Sequence, residues 1–315
     1  MSAPDFVAIG HVTLDRFGES TRPGGSALYA AVTAHRLGLS VGLLTSHGDE
    51  FPLDVVPSKI EVVSVPAADT TLFEHRHEPG GRVSHVRAAA APLTMADVPE
   101  DWREASLTLL APVVDEVDPM IATLFTDGAV GAAAQGWVRQ VKPDGLVVPR
   151  PWRSPERLLQ SVQALFLSRE DIRGQETEVV EWFQRMPVGV LTADRDGALL
   201  FVNGERYEVQ PRPAREVDPT GAGDVFAAAF LFSTSATATP GWPRPPRPVP
   251  ARSRWRARDG RRSPTALRST PRSPTTSALS DTRRQRVRTM GAVRGREDHA
   301  ARARCPLRPS PHPSS

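Results

Sequence analysis

The chain has 315 residues, a formal net charge of +3, an apolar share of 39% and an aromatic share of 6%. One cysteine, Cys305, excludes a disulfide framework or a cysteine-rich zinc site. No apolar run reaches the roughly 18 to 20 residues of a membrane span. Met1 to Gly10 lacks the basic flank and apolar stretch of a secretory leader, so a cytoplasmic protein without a membrane partner is expected.

The small net charge conceals two opposite segments. Residues 1–232 sum to −12 and residues 233–315 to +15. Every basic residue of the second segment is arginine, and Pro, Ser, Thr and Ala crowd around them. Such a segment cannot bury enough apolar surface to offset its chain entropy. The expected organisation is a folded body over residues 1–232 and a disordered tail over 233–315.

Along the body, Phe6-Val7-Ala8-Ile9-Gly10 reads as a buried strand. Gly24-Gly25 precedes an alanine-rich helix from Ser26 to Leu37, and Val41–Thr45 returns as a strand. Further strands are expected at Ile60–Val65, Leu107–Ala111, Gly145–Val148, Ala164–Leu167 and Val188–Thr192, with a helix at Thr177–Arg185. Strands alternating with helices predict a mostly parallel sheet covered on both faces. Leu199–Val202, Asn203-Gly204 and Arg206–Val209 predict a hairpin with a tight turn.

The stretch that carries chemistry is Asp218-Pro219-Thr220-Gly221-Ala222-Gly223-Asp224, followed by Val225-Phe226-Ala227-Ala228-Ala229-Phe230. The glycines permit a tight turn and a close ligand approach. The alanine-rich run makes the turn a helix N-terminus, whose free N–H groups and dipole favour an anion. A carboxylate there repels a phosphate. Asp224 is instead suited to take a proton from an attacking hydroxyl, although capping of a buried helix would also place an Asp here.

The full string resembles the C-terminal signature of the ribokinase/PfkB carbohydrate kinases. Gly24-Gly25-Ser26-Ala27, Arg36-Leu37-Gly38 and Gly48-Asp49-Glu50-Phe51 resemble the family's N-terminal signature. Thr192 and Gly197 resemble its nucleotide-side element. The resemblance runs from about Val7 to Phe232 and implies a ribokinase-like three-layer sandwich. It implies an ATP-dependent kinase acting on a sugar or cyclic polyol, accompanied by Mg2+. Residue by residue, it implies Asp224 as catalytic base and Gly221, Ala222 and Gly223 as the anion hole. Asp15, Gly24 and Gly25 would hold the acceptor. Thr192, Gly197 and Thr220 would lie on the nucleotide side, and Asp171 near the metal. A helix start on the surface accounts for Asp171 almost as well.

The sequence departs from the family in four places. Tyr29 stands where asparagine is common, Asp194 where glycine is expected, and Ala134 where many relatives have an aspartate before Gln-Gly. The segment between Glu50 and Thr71 is short, which predicts little or no lid and a monomer, or a homodimer built by other surfaces. Thr71-Leu72-Phe73-Glu74 and Ala91-Pro92-Leu93-Thr94 with Asp97-Val98-Pro99 resemble the myo-inositol-kinase-like branch; another sugar or a nucleoside stays open as the acceptor. Phe73 and Tyr29 serve equally as core aromatics, and Trp152 and Trp182 are expected in the surface layer. His75, His77 and His85 flank a Gly80-Gly81 hairpin tip as exposed loop residues rather than metal ligands.

The tail admits two further readings. Arginine-rich segments bind nucleic acid through phosphate charge, which would make the body an inactive, kinase-like carrier. The tail lacks an RNA-binding signature, and nucleic acid is not the expected partner. The other reading is a frame-shifted translation of GC-rich DNA. Codons permitted for Arg252 to Asp259, read from the third base, yield an apolar string like a late helix of the family, and a chain ending this way would be poorly active.

Overall fold

The described residues of the computed structural model are 2–79, 81–211 and 218–236; the expectations for the tail, and for His77 as a side chain, lie outside what they describe. Seven short apolar strands form one parallel array. Strand β1 (Phe6–Ile9) lies at its centre, with β4 (Val41–His47) and β5 (Ile60–Pro66) on one side. On the other side follow β8 (Leu107–Leu110), β9 (Ala129–Ala133), β12 (Ala164–Ser168) and β13 (Val188–Thr192). The antiparallel pair β14 (Ala198–Val202) and β15 (Glu205–Val209) completes the nine-stranded sheet.

The sheet is buried on both faces because successive side chains alternate across it. Phe6 and Ala8 of β1 point to one face, where helices α1 (Ser26–Arg36) and α4 (Ala222–Ala236) contribute Ala27, Ala30, Ala31, Ala34, Ala227, Ala228 and Leu231. Val7 and Ile9 point to the other, where helices α2 (Glu156–Leu159) and α3 (Glu176–Arg185) contribute Leu158, Val179 and Phe183. This is the expected three-layer, ribokinase-like arrangement. Helix α3 and the hairpin of β14 and β15 fall where the sequence places them, with Asn203 at φ 51° and Gly204 at φ 85° in the hairpin turn.

Two expected elements change position. Gly145–Val148 reads as a strand of the main sheet; β11 (Val147–Pro149) pairs instead with β10 (Arg139–Val141) in a ribbon of its own. Its place beside β12 is taken by β9, an Ala- and Gly-rich strand. Small residues suit that position, since a side chain at Gly131 would meet the Leu231 methyl at 2.8 Å, where α4 packs on the strand.

The expectation of little or no lid is corrected. A separate four-stranded sheet runs in the order β3 (Ser20–Gly24), β2 (Thr13–Phe17), β6 (Thr71–Glu78) and β7 (Gly81–Ala88). Its strands come from before residue 25 and after residue 70, on either side of the short segment on which the expectation rested. Trp152 is also corrected: it is 9% exposed and stacks on Trp137 with ring centroids 5.4 Å apart, with Trp182 edge-on at 5.7 Å.

A buried network joins the two sheets. Glu116, on the loop after β8, accepts backbone N–H groups from His11, Val113 and Val114. The His11 ring lies 2.7 Å from Thr71 Oγ1 and 2.8 Å from the Ala91 carbonyl. Thr71 Oγ1 also accepts the N–H of Ala90. The loops leaving β1 and β8 are thereby fixed where the order of the parallel strands reverses, the place at which open α/β sheets form their ligand crevice.

Packing at β13 gives a direct check. A Cβ on Gly189 would collide with the ring of Phe183, which is fully buried against Phe201. Gly189→Ala should cost about 1–3 kcal/mol through overpacking. A urea midpoint equal to that of the wild type would show that α3 yields freely.

Candidate active site

The N-termini of α1 and α4 meet at the crevice. Helix α1 starts at Ser26 directly after Gly25, and α4 starts at Ala222 directly after Gly221. Gly221 has φ 75°, and a Cβ there would press on the Tyr29 ring at 2.6 Å. Both facts require glycine: an L side chain would be strained and would have no room. Before the turn, Asp218 accepts the Thr220 N–H at 3.0 Å and pairs with Arg22 at 3.8 Å on the exposed rim.

Of the three residues expected to form an anion hole, Ala222 has its N–H engaged by the Pro219 carbonyl at 3.1 Å. Among the described residues, the N–H groups of Gly221 and Gly223 carry no such bond, and the space around Gly223 is open. These N–H groups belong to the positive end of a 15-residue helix.

Asp224 lies in the first turn of α4, half-buried. Burial pushes its carboxyl up from the ordinary 3.8 to about 7. A hydrogen bond from Ser26 and the charge of Arg139 oppose that rise, and the charge of Asp171 adds to it. A carboxylate poised near neutrality is matched to proton transfer from a hydroxyl.

Asp171 caps the opposite wall. Its Oδ2 accepts the backbone N–H and the hydroxyl of Ser168, at 3.1 and 2.6 Å. Its Oδ1 accepts from Gln135 at 3.3 Å and Arg139 at 3.2 Å. Four donors, one of them a guanidinium, thus hold the carboxylate that the sequence places near the metal. Among the described residues no three His, Cys, Asp or Glu side chains are grouped to hold a cation.

Arg139 is the functional residue that the sequence reading passed over. It follows Ala134-Gln135-Gly136, the place of a noted departure, by only three residues. Burial lowers the guanidinium's pKa, and Asp171 and Glu170 counter that effect. Arginine remains charged under any working condition, so a fixed cation faces Asp224.

On the acceptor side, Asp15 is 8% exposed and accepts a hydrogen bond from Thr13 at 3.0 Å. Gly24 pairs with Thr13 across the strands, and any side chain at 24 would overlap the Asp15 carboxylate. Tyr29 joins the two halves. Its hydroxyl pKa is raised, first by burial and then by the charges of Asp15, Asp218 and Asp224. Tyr29 is half-buried, with its ring against Gly221 and its hydroxyl within the field of the Asp15 and Asp224 carboxylates.

Thr192 and Gly197 flank the end of β13. Thr192 pairs with Ser168 across the strands, which links it to the Asp171 corner. Asp194, standing where glycine is expected, has φ 47°. The backbone keeps the left-handed turn, and aspartate is among the few side chains that tolerate it. His75 and His85 do not converge: they occupy alternate positions of the β6–β7 hairpin, His75 opposite Ser84 and His85 opposite Glu74.

A family model described as pfkB family carbohydrate kinase matches residues 137–240. Cytidine kinase of Thermococcus kodakarensis is 26% identical over 248 residues, covering 73% of this chain and 88% of that protein. Inositol 3-kinase of Zea mays is 33% identical over 175 residues, covering 51% of this chain and 43% of that protein, so the chain spans less than half of that relative. Among solved structures, a pyrophosphate-dependent kinase in the ribokinase family, complexed with a pyrophosphate analog and myo-inositol, superposes with a TM-score of 0.62. It is 22% identical and covers 73% of this chain and 87% of that one. Residues 137–240 thus match the pfkB family of carbohydrate kinases, and the fold is ribokinase-like.

The raised carboxyl of Asp224 has a consequence for stability. Its folded value, about 7, lies above the ordinary 3.8, so between those values the folded chain holds a proton that the unfolded chain has released. The contribution of this carboxyl to stability is then fully present below about pH 4 and is lost as pH rises through 7. At roughly 1.4 kcal/mol per pH unit the loss is at most about 4 kcal/mol. Asp224→Asn should remove this slope, so that its urea midpoint gains on the wild type between pH 5 and pH 8. Parallel curves for the two proteins would place the carboxyl back in the ordinary range.

Proposed function

We propose that this PfkB-family chain transfers the γ-phosphoryl group of ATP to a hydroxyl of a sugar or cyclic polyol. One observation carries the reading: a carboxylate pushed up to about 7 in the first turn of a helix, beside the half-buried Arg139 and the Gly221-Ala222-Gly223 backbone. The acceptor hydroxyl, positioned by Asp15 and Tyr29 against the bare backbone at Gly24 and Gly25, gives its proton to Asp224. Its oxygen bonds to the γ-phosphorus as the bridge to the leaving diphosphate breaks. Charge on the transferring oxygens is met by the N–H groups of Gly221 and Gly223 and by Arg139. Thr192, Gly197 and Thr220 lie on the donor side. The names of the relatives, a cytidine kinase and an inositol 3-kinase, set the first acceptors to try. Pyrophosphate belongs beside ATP in the donor panel, because a structural neighbour uses it.

Asp224→Asn should lower turnover by about 10² to 10⁴, the usual worth of a general base, and change donor binding far less. Steady-state kinetics with calorimetric donor titration checks this; turnover within a few-fold of wild type would remove Asp224 as the base. The wild-type rate should rise with pH through about 7, as the base loses its proton. Asp15→Ala should chiefly raise the acceptor KM, since its hydrogen bonds form in ground and transition states alike. An unchanged KM for every accepted substrate would take Asp15 out of the site.

A further inference from the structure

The second sheet brings to Asp15 a histidine that no comparison assigns. In register, β2 sets Asp15 beside Phe73 of β6, and Phe17 beside His75. The imidazole is stacked on Phe73 at 5.6 Å and lies 4.9 Å from Phe17. Its Nδ1 is 2.9 Å from Ser84 Oγ on β7. These contacts leave the ring little freedom, and Nε2 points towards Asp15 Oδ1 at 3.7 Å. That separation is too long for a direct hydrogen bond. Nε2 makes none among the described residues, yet it is not among the buried atoms lacking a partner. The two side chains are 9% and 11% exposed, a narrow opening at the same place.

We propose that His75 determines acceptor specificity. One acceptor hydroxyl bridges the gap, accepting from Nε2–H and donating to Asp15. The oxygen of a hydroxyl can sit about 2.8 Å from each of two groups 3.7 Å apart. The proposal takes the tautomer in which the Ser84 hydroxyl donates to Nδ1 and the ring proton is on Nε2. A donor and an acceptor fixed this way admit a group that is both, which means a hydroxyl. A hydrogen, a ketone or a methyl ether at that carbon leaves at least one of them unpaired, and a site built to bond a hydroxyl rejects such analogues strongly. The acceptor is therefore a polyol bearing a free hydroxyl besides the one that is phosphorylated. This rests on the acceptor site proposed above.

Calorimetric titration of the full chain without donor tests it, using myo-inositol, D-ribose and cytidine, then the deoxy analogues of the tightest binder. His75→Phe, which keeps the stacking, should weaken that binder by tenfold or more. One deoxy analogue should bind wild type and variant alike. His75→Gln, which returns an N–H donor, should recover part of the loss, and Ser84→Ala should weaken binding to a smaller degree. Circular dichroism and melting curves guard against misfolding; if His75→Phe does not fold, the His75→Gln and Ser84→Ala titrations decide. A His75→Phe affinity within twofold of wild type overturns the proposal. So does an equal loss for every deoxy analogue. Phosphoryl transfer by the same preparations separates the two ideas. Turnover with no effect of His75 removes this residue alone; polyol binding that depends on His75, without turnover with any donor, removes the kinase reading alone.

Discussion

The buried carboxylate of Glu116 is the constraint on which the site depends. Three backbone N–H groups, from two loops that are distant in sequence, converge on it. An uncompensated charge in that place would be expensive; with its lone pairs filled by N–H donors, it becomes a clamp. Through His11 the clamp reaches Thr71, and through Thr71 it sets the start of β6. Asp15 stands two residues beyond Thr13 on the neighbouring strand. Asp15, the carboxylate proposed to bind the acceptor, thus sits on a strand whose neighbour is anchored by this buried network.

Around that frame the electrostatics divide into two regions. On the Asp224 side, Arg139 and two helix N-termini supply positive potential, and desolvation keeps the base from being lost to it as a permanently ionised group. On the other side, Asp15 and Asp218 supply negative charge, which with burial raises the pKa of the Tyr29 hydroxyl. Under the proposed function, this division would attract a phosphate donor to the first region and repel it from the second. Hydroxyl-rich, uncharged molecules are suited to the second. Orientation of the two reactants follows from charge before any shape complementarity is invoked.

Much of this was legible in the sequence because it rests on local rules. A Gly-x-Gly before an alanine-rich run must be a turn and a helix start, and Asp224 follows from it. Asn203-Gly204 dictated its hairpin. What stayed hidden was non-local. Strand β9 has the composition of a helix, and only the bulk of α4 above Gly131 explains it. The second sheet is assembled from segments about fifty residues apart, and β2 with β3 offers no long alternating pattern. Arg139 is found only when the Asp171 corner closes on it. Tyr29 looked like a departure from family pattern, yet its ring fills the space that the glycine at 221 leaves.

The aromatic stack beside the catalytic corner has an optical meaning. Trp137 lies two residues before Arg139, stacks on Trp152, and through Trp152 meets Trp182. Its indole N–H is fixed to the Val117 carbonyl, and its own carbonyl accepts from Arg150. Half of the six tryptophans therefore form one coupled chromophore, anchored to the strand that bears the site's arginine. The near-ultraviolet signal of these three coupled indoles would therefore follow the geometry of that strand.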